Sequence, residues 1–289
     1  MLDQAESLRK LANTKSIKTD ERKNKAAKII TVTSGKGGVG KSNFVVNLGI
    51  KLQQKGKKVL IFDADLGMGN DDVLMGLYPK NNIFDIVFTS KKIQDIIIRG
   101  PEGISLISGG SGLNKVQELS ESEKQLFLDG LNSLEDFDYL LMDTGAGVTK
   151  DILSFISASQ EIIVITTPEP TALTDAYSLI KATDHFKLKS KASIVVNKAF
   201  TDDEGLDTFN KLFRAVDRFL KIRVEYLGCI LDDRKLVQAV RVQKPFVLYY
   251  PTCDASKGIE SIASKIIGQN IETSKGIGNL FKKLVNIFS

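Results

Sequence analysis

The chain has 289 residues, 42% hydrophobic and 26% charged, with 40 basic and 35 acidic side chains and a formal charge of +5. That length allows one large domain or two small ones with a sizeable core, and the basic excess calls for an acidic partner without reaching a histone-like level. With only Cys229, Cys253 and His185 as soft or imidazole ligands, and no C-x-x-C pair, a disulfide framework, a Cys/His zinc site and a Ser-His-Asp hydrolase are all disfavoured.

Residues 1–28 hold eight basic against four acidic side chains and read as a short helix followed by a polar linker. The segment lacks the apolar stretch of a signal peptide, and no later run approaches the roughly 18 to 20 apolar residues that span a bilayer, so the expected location is the cytoplasm. From Ile29 to about Gly268, short β-rich runs alternate with helix-like stretches. The runs fall at 28–33, 58–62, 104–107, 139–142, 161–165, 192–196 and 224–228. Several are apolar at consecutive positions, as expected when helices cover both faces of a parallel strand. The expected fold is therefore α/β, with a mainly parallel central sheet flanked by helices on both faces.

Directly after the first run stands Ser34-Gly35-Lys36-Gly37-Gly38-Val39-Gly40-Lys41-Ser42-Asn43. It satisfies G-x-x-x-x-G-K-[ST] between a strand and a helix, which makes the chain a P-loop NTPase by pattern. Glycines let successive backbone N–H groups converge on phosphate oxygens. Lys41 is placed to reach the β- and γ-phosphates, Ser42 to ligate Mg²⁺, and the following helix N-terminus to favour the negative charge. Lys36, a second lysine inside the loop, is either an exposed loop residue or a further cation for the γ-phosphate. Two later runs end in acids, Asp63-Ala64-Asp65 and Asp143-Thr144-Gly145. An acid at the carboxyl end of a parallel strand faces the ligand crevice. Asp143, after four apolar residues, is suited to hold Mg²⁺ through water.

The last fourteen residues place Ile277, Leu280, Phe281, Leu284, Val285 and Phe288 on one helical face, with Lys282 and Lys283 largely off it. Such a helix is too short to cross a membrane, and either lies in an anionic lipid interface or docks on the domain. The three zones, 1–28, 29–268 and 269–289, differ in charge as well. The first and last are strongly basic, which leaves the body between them slightly acidic and argues against nucleic acid as the partner.

The segment from Lys36 to Ser42 resembles the deviant Walker A motif of the MinD/ParA class of ATPases. The resemblance implies ATP and Mg²⁺ as cofactors, slow hydrolysis, and a homodimer sandwiched around two nucleotides with Lys36 contacting the partner's. It further implies that Asp65 orients the attacking water, that Asp63 supports the metal shell, and that Asn197 and Asp232 border the adenine. Glu169 and Asp175 resemble positions facing the partner subunit, although each also suits a helix cap. Leu231 departs from the pattern, since relatives usually carry proline there, and Asn43 replaces a hydroxyl residue. The C-terminal helix resembles a membrane-targeting helix that two copies use by avidity.

At the other end, Asp3-Gln4-Ala5-Glu6-Ser7-Leu8-Arg9 is similar to the D-Q-A-x-x-L-R motif of the FlhG (YlxH/FleN) branch of this class, which regulates flagellar number and placement. The resemblance implies that Asp3, Gln4, Ala5, Leu8 and Arg9 stimulate the flagellar SRP-type GTPase FlhF, with flagellar switch-complex proteins as further candidate partners. A MinD-type division-site positioner and a DNA-partitioning ParA are the alternatives. The first would leave residues 3 to 9 without a role.

Overall fold

The computed structural model describes residues 27–65, 69–89, 91–109, 119–132, 134, 137–268 and 277–288. Asp3, Gln4, Ala5, Leu8 and Arg9 lie outside them. Eight strands form one sheet: β1 (Lys28–Ser34), β2 (Val59–Ala64), β3 (Ile98–Arg99), β4 (Ser105–Ser108), β5 (Tyr139–Ala146), β6 (Glu161–Thr166), β7 (Lys191–Ala199) and β8 (Arg223–Leu231). Their order is β3-β4-β2-β5-β1-β6-β7-β8, parallel throughout except at the β3–β4 pair. All seven expected runs are strands. The two-residue β3 has too little apolar pattern to be seen in sequence.

The consecutive apolar positions are explained by two covered faces. On one, Ile30, Val32, Ile61, Leu141, Ile163 and Val195 pack beneath α1 (Lys41–Gln54) and α10 (Asp254–Gly268). Between these two helices in sequence run α2 (Asp71–Leu74), α3 (Asp85–Phe88), α4 (Glu121–Asn132), α5 (Lys150–Ala158), α6 (Pro170–His185), α7 (Asp202–Phe219), α8 (Arg234–Arg241) and α9 (Phe246–Tyr249). On the other face, Ile162, Val164, Ile194 and Val196 pack against α5, α6 and α7. Leu60, Phe62, Leu140 and Met142 meet α4 and α11 (Ile277–Phe288) there. Because neighbouring residues on a strand point to opposite faces, a strand buried on both must be apolar at every position.

The last helix, α11, is docked. Ile277, Leu280, Phe281, Leu284 and Val285 are all buried, while Lys282 and Lys283 face outward. The Phe281 ring meets Phe62 of β2 edge-on at 5.3 Å and Phe127 of α4 at 6.3 Å. The face that the sequence offers to lipid is thus part of the core here, at roughly 1.5–3 kcal/mol for each large apolar side chain removed from water. The side chain of Phe288 lies outside the described residues. Among the described residues no helix is long and apolar enough to cross a membrane. Both cysteines are free. Burial and the hydrogen bond to Asp202 push the Cys229 thiol up to about 11.

Candidate nucleotide site

The strand order places the carboxyl end of β1 at the point where the chain switches from one half of the sheet to the other, the usual crevice of an open α/β sheet. Residues 34–40 leave β1 there and deliver the chain to α1. Gly38 (φ 77°) and Gly40 (φ 92°) sit in the left-handed region, which disfavours residues with a Cβ on conformational grounds. Gly40 is excluded sterically too, since a Cβ would lie 2.3 Å from the Asn197 amide. At Gly35 a Cβ would strike the Asp175 backbone at about 2.1 Å, so the loop's entry is packed tightly against α6.

The loop borders a cleft of about 690 Å³ lined by Gly37, Gly38, Val39, Gly40, Lys41, Ser42, Asn43, Asp65, Asn197 and Asp232. Lys41 Nζ pairs with Asp143 at 3.0 Å, both buried, and the Ser42 hydroxyl also bonds Asp143. Asp143 stands directly beside Asp63 in the β2–β5 register. Burial and the charge of Asp143 push Asp63 up to about 7. Burial raises Asp143 as well, opposed by Lys41 and Ser42. The half-buried Asp65 lines the cleft mouth, and its N–H donates to Asp63 Oδ1 at 3.2 Å. Of the six polar side chains selected from the sequence for phosphate and metal, Lys41, Ser42, Asp63 and Asp143 therefore meet within one network, Asp65 adjoins it, and Lys36 is engaged elsewhere.

Open space at Gly37 and Gly38, where an added Cβ would meet nothing within 4 Å, leaves a cradle for phosphate. The donors around it are all oxygen, which is the preference of Mg²⁺, an ion that also retains several waters. A Mg-nucleotide fits these residues. Bound there, the metal would neutralise charge on the transferred phosphoryl group, while Lys41 exchanges Asp143 for phosphate oxygens and Ser42 supplies a ligand hydroxyl.

Other expectations meet a different geometry. Asn197 is buried and donates to the Val39 carbonyl at 2.7 Å, so its amide braces the loop and does not point freely at a base. Lys198, at φ 59°, donates to the Gly38 carbonyl at 2.9 Å. Lys36 pairs with Glu169 of its own chain at 2.8 Å and also donates to Thr171. Glu169 occupies the N-cap position of α6, yet its side chain makes no cap bond, because it is turned to Lys36. Asp175 is half-buried, with its backbone against Gly35. Exposed Asp232 borders the cleft beside Leu231, with its N–H held by the Ala199 carbonyl at 2.8 Å, so the loop closes without a proline.

Sequence reasoning missed one wall. Leu236, Val237 and Val240 of α8, with Val73 and Leu74 of α2, add an apolar lining to the cleft, and Arg241 borders it beside them. The 236/237/240 spacing is legible as a helix stripe, but nothing in it distinguishes a ligand wall from core.

The family model ParA, described as NUBPL iron-transfer P-loop NTPase, matches residues 25–267. The chain belongs to the MinD/ParA family of P-loop ATPases. Within the family it is 35% identical over 82% of its length to the antiactivator FleN of Pseudomonas aeruginosa, covering 85% of that protein. It is also 35% identical to the flagellum site-determining protein YlxH of Helicobacter pylori, over 99% of both chains. The fold is that of the MinD cell division protein of Aquifex aeolicus, with a TM-score of 0.67 at 23% identity over 86% of this chain and all of that one. MinD/ParA members are ATP hydrolases, which gives the cleft its reaction class.

Proposed function

We propose that this MinD/ParA-family ATPase is an ATP-operated switch that sets flagellar number and placement. The observation that carries the reading is the 99% mutual coverage with the flagellum site-determining relative, which spans the ATPase body and both basic tails. The antiactivator relative supports the same branch. In this reading residues 1–28 are a partner-binding segment, 29–268 the ATPase body and 269–289 a linker and membrane-targeting helix. ATP with Mg²⁺ fills the cleft, Asp63, Ser42 and Asp143 hold the metal shell, Asp65 places the attacking water, and hydrolysis is slow. Two copies then close face to face, with Lys36 leaving Glu169 to reach the partner's nucleotide, and Glu169 and Asp175 lie at that interface.

Dimerisation draws α11 from its groove to an anionic membrane surface, so the protein is cytoplasmic until ATP binds and peripheral at the inner face of the cell membrane afterwards. Asp3, Gln4, Ala5, Leu8 and Arg9 stimulate the GTPase FlhF, and flagellar switch-complex proteins are further partners. Two measurements test this. A pull-down with FlhF should retain the full chain and lose a variant lacking residues 1–20. Co-sedimentation with anionic liposomes should rise with ATP over ADP, and membrane binding indifferent to nucleotide would overturn the switch.

A further inference from the structure

Asp71 is a buried acid that no motif in the chain assigns. It opens α2 with a side chain of 0% exposure, and neither of its carboxylate oxygens finds an N–H or O–H donor. Its own backbone N–H reaches Asp63 Oδ2 at 3.5 Å, and its carboxyl adjoins that of Asp143 within the field of Asp63 and Lys41. Buried polar groups in native proteins are nearly always hydrogen-bonded, and a buried charge is nearly always paired. Here three buried carboxyl groups surround one ammonium, which is paired with Asp143, so Asp63 and Asp71 have no cationic side chain of their own among the described residues. The backbone N–H groups of Asp65 and Asp71 are directed at Asp63, and the Ser42 hydroxyl is directed at Asp143.

A hydrated divalent cation answers both deficits, since it carries two positive charges and its waters are strong donors. Among the described residues no three Asp, Glu, His or Cys side chains are arranged to hold an ion directly, so the contact runs through water, as Mg²⁺ chemistry favours. We infer that Asp71 is an outer carboxylate of the Mg²⁺ site, accepting hydrogen bonds from metal-bound water and raising the affinity for a divalent cation beyond what Ser42, Asp63 and Asp143 provide. This rests on the reading of the cleft as a Mg-nucleotide site.

The test uses full-length protein saturated with ADP, with Mn²⁺ as the probe and free Mn²⁺ read by electron paramagnetic resonance. Asp71→Asn keeps the shape and removes the charge. Loss of an outer-shell partner should weaken Mn²⁺ binding about tenfold or more. ADP affinity in EDTA should be unchanged, and the rise in melting temperature on adding Mn²⁺ should shrink. Asp71→Ser gives the same readings if the amide variant does not accumulate. If Asp71→Asn binds Mn²⁺ as wild type does while Asp143→Asn is weakened, the role of Asp71 is overturned and the cleft reading stands. If neither variant alters Mn²⁺ binding, both fall.

Discussion

The nucleotide cleft and the groove that holds α11 share strand β2, yet they are built from opposite chemistry. In the cleft, position is set by directional contacts: Lys41 to Asp143, Asn197 to Val39, Lys36 to Glu169. In the groove it is set by apolar area, with Phe281 lodged between Phe62 and Phe127. A site of the first kind accepts one class of ligand. A site of the second kind accepts any partner that excludes water, which is why one stripe of side chains suits both a protein core and a lipid interface.

The largest expected effects are in the cleft. Replacing Lys41 with Ala should lower ATP turnover about 100-fold or more, measured by phosphate release, because a preorganised cation facing the transferred phosphoryl group is lost. Asp65→Ala should cut turnover by a similar factor of about 100, as for loss of a residue that places the nucleophile, while dimers formed with ATP persist on gel filtration. Dimers that vanish in Asp65→Ala would remove the distinction between holding nucleotide and hydrolysing it.

The groove should respond in stability first. Phe281→Ala is expected to cost about 3–5 kcal/mol in denaturant unfolding of the nucleotide-free protein, the range for truncating a buried aromatic side chain. A negligible loss would mean that α11 spends little time docked and that the two regions are less alike in order than their burial implies.

Acid–base behaviour sharpens the contrast, since the cleft gathers three buried carboxyl groups around one lysine. Asp63 is raised from 3.8 to about 7, chiefly by burial. An acid raised on folding is more stabilising when protonated, so its contribution is complete below about pH 4 and is lost as pH rises through 7. The melting temperature of the nucleotide-free protein should therefore decline between pH 5 and pH 7.5, and the decline should flatten in Asp63→Asn. Phe281→Ala should leave the slope as it is.

The smallest effect is expected at the Lys36–Glu169 pair. Its side chains are 38% and 61% exposed, so screening by water leaves the monomer's melting temperature unchanged in Lys36→Gln. The same substitution should abolish ATP-dependent dimers, read by gel filtration. A variant that melts normally and still dimerises would leave Lys36 as an exposed loop residue.

This contrast also governs what could be read from the residues alone. The P-loop, the strand-end aspartates and the parallel sheet were legible because phosphate chemistry and two-sided burial each demand particular residues at fixed spacing. The α8 wall and Asp71 were not, because a helix stripe carries no mark of what it faces, and an acid near a strand end looks like a turn residue until its surroundings are known. Asn197 was legible as a cleft residue, while its engagement with the Val39 carbonyl depends on the path of the loop and not on sequence spacing. For α11 the pattern gave the face correctly and left its partner open, as a non-directional force must.

The Phe62–Phe281 contact has a thermodynamic corollary. Phe62 and Asp63 are joined by one peptide bond, and their side chains meet the Phe281 ring of α11 and the backbone N–H groups of Asp65 and Asp71 respectively. If nucleotide and lipid each favour a different disposition of this dipeptide, linkage makes the coupling reciprocal: whatever factor ATP adds to membrane affinity, membrane must add to ATP affinity. A vesicle surface would then act as a nucleotide-retention factor, and residence at the membrane would lengthen itself until hydrolysis ends it.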